Sequence, residues 1–324
     1  MANRYITIVV PTKYWRAGHD YLMTISRLLR GNIRAGDVVV ISEKALSIAM
    51  GRTVDEAKVR PRLAARLLAR IWMRIVWGRF LSRICNLSSV TASRLRSYPL
   101  QEGAAHKQLA LSYAGPLQSL RHGSEGGIDV SNVPYSYASL PLENAELIAQ
   151  NILEALQKDN AVAMTVLIVD SDKTYTWRTI HISPRQDALQ GILPLSVIAY
   201  ILGRAFRLRP RSTPIAMAGT PLSVEEALRA AALANKARGS GSGRTAWDMA
   251  ERFGVGLTEV TYEYLNTIKH RPLVIVRKIS HRSGRILQRG YQTGCLKLTD
   301  DPISTFQVLF MSGHKLRYLV VGRH

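Results

Sequence analysis

A buried β-strand is predicted by the apolar run Ala161-Val162-Ala163-Met164-Thr165-Val166-Leu167-Ile168-Val169, which Asp170-Ser171-Asp172 follows directly. Burying a carboxylate without a partner costs several kcal/mol, so Asp170 should meet a cation, a backbone donor or water. A second stretch, Gly127-Ile128-Asp129-Val130-Ser131-Asn132, also places a carboxylate beside apolar residues. An aspartate at the end of a buried strand is a natural metal ligand, whereas a turn-forming or capping role is the ordinary alternative for Asp129 and Asp170.

The composition predicts a protein with anionic ligands. The chain has 324 residues, with 44 Lys and Arg against 23 Asp and Glu, a net charge of +21 and a sequence pI near 10.4. Such an excess favours nucleotides, nucleic acid, a membrane surface or a polyanionic metabolite as partners. The two cysteines, Cys85 and Cys295, show no metal-ligand spacing, and no signal-peptide pattern is present at the N-terminus. We therefore expect a cytoplasmic protein without a transmembrane segment.

The predicted elements favour an α+β fold with a mixed or antiparallel sheet, because the strands do not alternate regularly with helices. Strands are expected at 5–10, 38–41, 161–169, 273–276, 306–310 and 318–321, and helices at 20–29, 142–156, 223–238 and 246–253. Ser223 and Glu226 have the spacing of a capping box, which indicates that a helix begins there.

A strongly basic helix is predicted over residues 58–84. Its guanidinium face repeats every four residues and consists of Arg62, Arg66, Arg70 and Arg74. A solvated face or a dimer contact is the ordinary explanation, and a membrane surface or nucleic acid is the alternative. Trp72 and Trp77 are expected in a core or interface and not as base-stacking platforms, because no RNA-binding motif accompanies them.

A glycine-rich loop is predicted at Arg238-Gly239-Ser240-Gly241-Ser242-Gly243-Arg244-Thr245. Its backbone amides could hold a phosphate. The segment lacks the spacing of a P-loop and does not follow a strand, so a flexible connection is favoured over a nucleotide site.

Several segments, taken in order, resemble one family, the GTP-dependent coenzyme F-420:L-glutamate ligases, which add glutamate to a deazaflavin coenzyme. Residues 36–52 look like the family's segment that begins GDVVV, and residues 127–133 look like its G(V/I)D-x-SN segment. Residues 166–171 look like its apolar strand that ends in Asp-Thr or Asp-Ser. The two aspartates are 41 positions apart (170 − 129), a spacing similar to the family's. The resemblance covers most of the chain.

The resemblance implies a metal and nucleotide site, with no catalytic residue assigned. Asp129 and Asp170 would bind Mg²⁺ or Mn²⁺, Ser171 would assist a second ion, and a monovalent cation is a further candidate ligand. GTP would be the co-substrate. Its pocket would consist of Val10, Pro11, Thr12, Lys13, Glu43, Lys44 and Asn132, together with Arg277, Ser280 and Ser283 of a later nucleotide loop.

The resemblance also implies the reaction and the assembly. An acyl phosphate would form on the carboxylate of the F-420 precursor, or of a related acidic acceptor, and the amine of L-glutamate would then displace phosphate to form an amide. An intertwined homodimer and two domains are expected. The first domain would contain residues 1–120 and 268–324, and the second would contain residues 121–267.

Two other functions fit the sequence. A nucleotide-binding homologue without turnover is suggested by Ile48 and Met50, which stand where the family has Lys and Glu, and by the absence of a carboxylate from residues 277–283. A nucleic-acid-binding protein is suggested by the Arg62 to Arg74 face and by the net charge.

Overall fold

The computed structural model describes residues 4–279, 306–312 and 315–322. The predicted strand at 161–169 begins at Thr165 and lies within a mixed sheet that, over these residues, has nine strands. The strands are β1 (Arg4–Thr12), β2 (Val38–Ser42), β5 (Thr165–Trp177), β6 (Ile180–Ser183), β7 (Leu193–Pro194), β8 (Arg209–Gly219), β9 (His270–Ile279), β10 (Phe306–Ser312) and β11 (Lys315–Gly322). A separate pair consists of β3 (Thr53–Asp55) and β4 (Tyr137–Ser139).

The sheet order is β10-β11-β1-β9-β2-β5-β6-β7, and β8 also pairs with β5. Strands β2 and β5 are parallel, whereas β1, β9 and β8 pair antiparallel with their neighbours. The fold is therefore α+β with a mixed sheet, as the irregular order of predicted strands and helices indicated.

The helices lie on both faces of this sheet and in a separate group beside it. They are α1 (Tyr21–Leu29), α2 (Glu43–Ala49), α3 (Leu63–Leu67), α4 (Ser82–Ile84), α5 (Ser89–Arg96), α6 (Gln101–Tyr113), α7 (Pro116–Ser119), α8 (Ala145–Asp159), α9 (Ser196–Ala205), α10 (Val224–Arg238), α11 (Ala246–Phe253) and α12 (Tyr262–Asn266). A 3-10 turn spans Glu56–Lys58, and a π-helical segment spans Leu68–Leu81.

The two faces of the sheet are covered by different helices because side chains alternate along each strand. Val39 and Ile41 face a core that α1 and α8 complete, whereas Val38 and Val40 face α10. Helix α10 approaches the sheet closely through the small side chains of Ala227, Ala230, Ala231 and Ala234. The predicted capping box at its start is confirmed, since Ser223 and Glu226 exchange both hydrogen bonds.

The basic helix predicted over 58–84 runs through α3, the π-helical segment and α4. Its buried side recurs every four residues and consists of Ala65, Ala69, Met73 and Trp77. The indole nitrogens of Trp72 and Trp77 both donate to the Leu120 carbonyl at 2.7 Å, so both rings pack inside the protein, as predicted. Within the described ranges, no helix is long and apolar enough to cross a bilayer.

The sheet joins the two predicted domains. Strands β2 and β9 belong to the first predicted domain, and β5 and β8 belong to the second. Strand β2 nevertheless pairs directly with β5. The division at about 120 and 268 and the intertwined dimer remain predictions from the resemblance.

Candidate active site

Polar residues of four neighbouring strands come together along one edge of the sheet. Because β2 and β5 are parallel and Ser42 is in register with Val169, Glu43 and Asp170 come next in the same direction. The predicted strand end at Asp170 is wrong, since β5 continues to Trp177 and Asp170 lies where its pairing with β8 becomes irregular. The antiparallel neighbour β9 begins there with His270, and β1 ends there with Thr12 opposite His270. Ligands of α/β sheets bind outside the carboxyl ends of parallel strands, so a ligand site is expected at this edge.

The centre of this edge is a buried arginine that the sequence did not single out. Arg185 is completely enclosed, and all five of its N–H groups donate to carboxylates. It donates to Glu43 at 2.7 and 3.0 Å, to Asp170 at 3.0 Å, and to both oxygens of Asp187. One guanidinium therefore neutralises part of the charge of three carboxylates.

This arrangement changes the ionisation of Glu43. Burial raises its pKa above the ordinary range, Arg185 lowers it, and the nearby Asp170 and Asp187 raise it further. Gly127 approaches the same guanidinium so closely that a Cβ atom built on it would lie 1.8 Å from Nη1 of Arg185. The backbone of Gly127 also has φ +95°, a conformation that favours glycine. Arg185 thus connects the segment 127–133 to Asp170 within β5.

Asp129 is held by a lysine at the start of α2. The Lys44 ammonium lies 2.5 Å from Oδ2 of Asp129 and also donates to the carbonyl and hydroxyl oxygens of Ser131 at 2.9 and 3.0 Å. The other oxygen of Asp129 accepts from the Ser131 amide at 2.7 Å. Both oxygens of Asp129 are therefore in use within the protein.

A further carboxylate at this edge, Asp172, is also paired. Asp172 is buried and accepts two hydrogen bonds from Arg121, at 2.5 and 2.8 Å. Burial raises the pKa of Asp172, and Arg121 opposes the shift. Burial lowers the pKa of Arg121, but attraction to Asp172 outweighs it and the net pKa is raised. The Asp172–Arg121 pair and the Arg185 cluster thus compensate the negative charge of carboxylates that the sequence pattern suggested for a metal.

A cleft of about 720 Å³ opens above these groups. Asp129, Asp170 and Asp172 line it, each already paired with a cation. Over the part of the chain that the structure describes, four further cations on the wall form no ion pair: Lys173, Lys236, Arg238 and Arg244. The cleft therefore presents an excess of positive charge to a ligand.

The glycine-rich loop 239–243 forms one wall of this cleft, although the sequence favoured a flexible connection. Asn132 holds it in place: its Oδ1 accepts from the amide and hydroxyl of Ser242, both at 2.6 Å, and its Nδ2 donates to the Gly243 carbonyl at 2.9 Å. The amide of Asn132 is thus engaged by the loop, and the residue positions this wall.

The β1 residues predicted for the nucleotide pocket lie beside the cleft. Val10, Pro11 and Thr12 are in β1, and the carbonyl of Lys13 lies 3.2 Å from Nδ1 of His270, which lines the cleft. Burial lowers the pKa of His270 to about 4, and the cations Arg238 and Lys44 contribute in the same direction. The imidazole is neutral at pH 7.

One predicted nucleotide residue, Arg277, lies away from this site. Arg277 lies seven residues beyond His270 in β9, about 23 Å along the strand. Its guanidinium donates to both carboxylate oxygens of the buried Asp37, at 2.8 and 2.6 Å, and thereby joins β9 to the start of β2. Ser280 and Ser283 lie outside the described residues.

The donor set fits a divalent ion poorly. Mg²⁺ and Mn²⁺ need several oxygen ligands. Both oxygens of Asp129 already accept from Lys44 and the Ser131 amide, Asp170 shares one oxygen with Arg185, and the Ser171 hydroxyl lies 3.4 Å from the other. Among the described residues, no group of three or more His, Cys, Asp or Glu side chains is placed to hold a metal. The implied metal therefore enters no step of the chemistry below.

Comparison with known proteins identifies the family. The family model described as F420-0:Gamma-glutamyl ligase matches residues 10–195, more than half of the chain. The uncharacterized protein MJ1361 of Methanocaldococcus jannaschii is 27% identical over 281 residues, which cover 83% of this chain and 94% of that protein. The family match contains Lys44, Asp129, Asp170 and Arg185, whereas Arg238 and the glycine-rich loop lie beyond it. The chain belongs to the F420-0:gamma-glutamyl ligase family.

Proposed function

We propose that this protein is a nucleoside-triphosphate-dependent ligase that joins L-glutamate to the F420 precursor or to a related acidic acceptor. GTP is the nucleotide that the family resemblance favours. The observation that carries the proposal is the cationic cleft at the edge of the sheet, which combines paired carboxylates with four cations that form no ion pair within the described ranges. Such a cleft attracts polyanions, and both the nucleotide and the acceptor are anionic.

The proposed chemistry has two steps. A carboxylate oxygen of the acceptor attacks the γ-phosphorus of the nucleotide, the bond to the β-phosphate oxygen breaks, and the nucleoside diphosphate leaves with that electron pair. The amine nitrogen of glutamate then attacks the acyl carbon, phosphate leaves, and the nitrogen loses a proton. Negative charge develops on transferring and leaving oxygens in both steps, and cations fixed in a cleft stabilise it without reorganising.

We assign Lys44 a positioning role in this cleft, because it holds Asp129 and Ser131 in place. Its ammonium ties Asp129 and Ser131 to the start of α2, and its side chain is 19% exposed. Removing it would leave the charge of Asp129 unpaired at the cleft wall and would lower the positive potential that a phosphate meets. The residues around it bind and orient the substrates, and no general acid or base is assigned.

The test is product formation. Purified protein is incubated with GTP, L-glutamate and the F420 precursor, and the amide product is measured by mass spectrometry together with nucleoside diphosphate. We expect amide formation, its loss by at least roughly tenfold in Lys44→Met, and no change in the control Lys58→Met, whose side chain is 84% exposed. No amide product with any acidic acceptor would refute the ligase proposal.

A nucleotide-binding protein without turnover is the second candidate. The pairing of Asp129 with Lys44 and of Asp170 with Arg185 favours it, because these contacts occupy carboxylate oxygens that a catalytic metal would need. The same assay separates the two functions: GTP binding without nucleoside diphosphate or amide would support this second candidate.

A further inference from the structure

We propose that Arg238, Lys173 and Arg244 form a metal-independent site for the phosphate chain of the nucleotide. These side chains supply the positive charge that a divalent ion would otherwise bring to the phosphates. The inference rests on the proposed function, since it names the groups of the same cleft that hold the nucleotide.

Arg238 is the strongest argument for a bound anion. It is the last residue of α10, it lines the cleft, and its Nε and Nη2 atoms are enclosed without a hydrogen-bond partner among the described residues. Buried N–H groups without partners destabilise a protein, and a charged group without partners does so more strongly. Burial lowers the pKa of Arg238 to about 10 and Asp170 opposes the shift, so the guanidinium is still charged at neutral pH. An anionic ligand in the cleft would supply the missing acceptors once the guanidinium turns toward it.

Lys173 and Arg244 add charge to the same place. The Lys173 ammonium has one weak partner, the Ser212 hydroxyl at 3.3 Å. Burial lowers the pKa of Lys173, its two acidic neighbours raise it, and Arg244 and Arg238 lower it again, so both arginines are close enough to repel Lys173. A ligand with several negative oxygens removes this repulsion, whereas a neutral ligand does not.

The neighbouring carboxylates attract these cations but form no ion pair with them among the described residues. Asp170 gives an oxygen to Arg185, and Asp172 gives both of its oxygens to Arg121. A divalent cation placed among Arg238, Lys173 and Arg244 would meet like charges and few free oxygen donors. The chemistry of this wall therefore suits a phosphate chain better than a metal ion.

A structural role for Arg238 makes a different prediction. A cation in the last turn of a helix interacts favourably with the helix dipole, so a purely structural Arg238 would lower the thermal stability when it is replaced. A ligand-binding Arg238 with unpartnered N–H groups would leave the Tm of the free protein unchanged or raise it when replaced by a neutral side chain. The Tm without ligand thus separates the two roles.

The experiment measures binding of inorganic tripolyphosphate and of GTP by calorimetry, in EDTA and in Mn²⁺. Wild type is compared with Arg238→Gln, Arg238→Lys, Lys173→Met and the control Arg229→Gln, a surface position of the same helix whose side chain is 39% exposed. We expect wild type to bind both ligands in EDTA, Arg238→Gln and Lys173→Met to bind roughly 10- to 100-fold more weakly, Arg238→Lys to lose less, and Arg229→Gln to bind as wild type.

Three results would overturn the inference: wild-type binding only when Mn²⁺ is present, wild-type affinity in Arg238→Gln, or a lower Tm of ligand-free Arg238→Gln. Metal-free binding that depends on Arg238, without any amide product in the ligase assay, would support the anion site and refute the ligase function. The two failures are thus distinguishable.

Discussion

Replacing Gly127 by alanine tests the contact that organises the site. A Cβ atom there would lie 1.8 Å from Nη1 of Arg185, and the backbone has φ +95°. Gly36 is a matched control, because its φ is +80° and a Cβ atom would meet nothing within 4 Å. Gly36→Ala should therefore show the backbone strain alone, about 1–2 kcal/mol.

Gly127→Ala should cost more, because Arg185 has to move and all five of its N–H groups are in use. Losing one hydrogen bond to a charged group costs about 1.5–3 kcal/mol, so the total is about 2.5–5 kcal/mol. Equilibrium urea unfolding measures the free energy of unfolding of both variants. In an Arg185→Met background the extra cost of Gly127→Ala should largely disappear, since the two residues then no longer clash.

Equal destabilisation by Gly127→Ala and Gly36→Ala would refute this reasoning. So would an unchanged cost of Gly127→Ala in the Arg185→Met background. Either result would mean that Arg185 does not occupy the space beside Gly127.

Two further predictions concern other parts of the molecule. Burial lowers the pKa of His122 to about 4 from 6.5. Below pH 6.5 the unfolded chain therefore binds a proton at His122 that the folded protein does not bind. The free energy of unfolding should therefore fall by up to about 3 kcal/mol as the pH falls from 6.5 to 4. In His122→Gln, urea unfolding should show a shallower decline over this window. Parallel pH profiles of wild type and His122→Gln would contradict this prediction. Arg277→Gln should lower the free energy of unfolding by about 3–5 kcal/mol, because it leaves the buried Asp37 unpaired. It should not change the GTP affinity of the folded protein by calorimetry, and a large loss of affinity would show that Arg277 belongs to the nucleotide site.

The sequence predicted the parts of the site that depend on local pattern. The apolar runs before Asp170 and before Glu43-Lys44 both indicated strands. In the structure, the parallel pairing of these strands, β2 and β5, places Glu43 and Asp170 side by side. The capping box at Ser223 also depends on residues three apart and was confirmed.

The rest of the site depends on contacts between residues far apart in the chain. Arg185 lies in an ordinary loop, and its partner Glu43 is 142 positions away, so no spacing rule identifies it. The glycine-rich loop lacks a P-loop pattern, and it forms a cleft wall because Asn132, which is 111 positions before Gly243 in the chain, holds it there.

We propose that the cleft binds a nucleoside triphosphate through the protein's own cations. The most direct measurement is a crystal structure of the protein with a non-hydrolysable GTP analogue, grown in EDTA. We expect phosphate oxygens within hydrogen-bond distance of Arg238 and Lys173. Phosphates bound away from these side chains, or binding that requires a metal ion between Asp129 and Asp170, would contradict it.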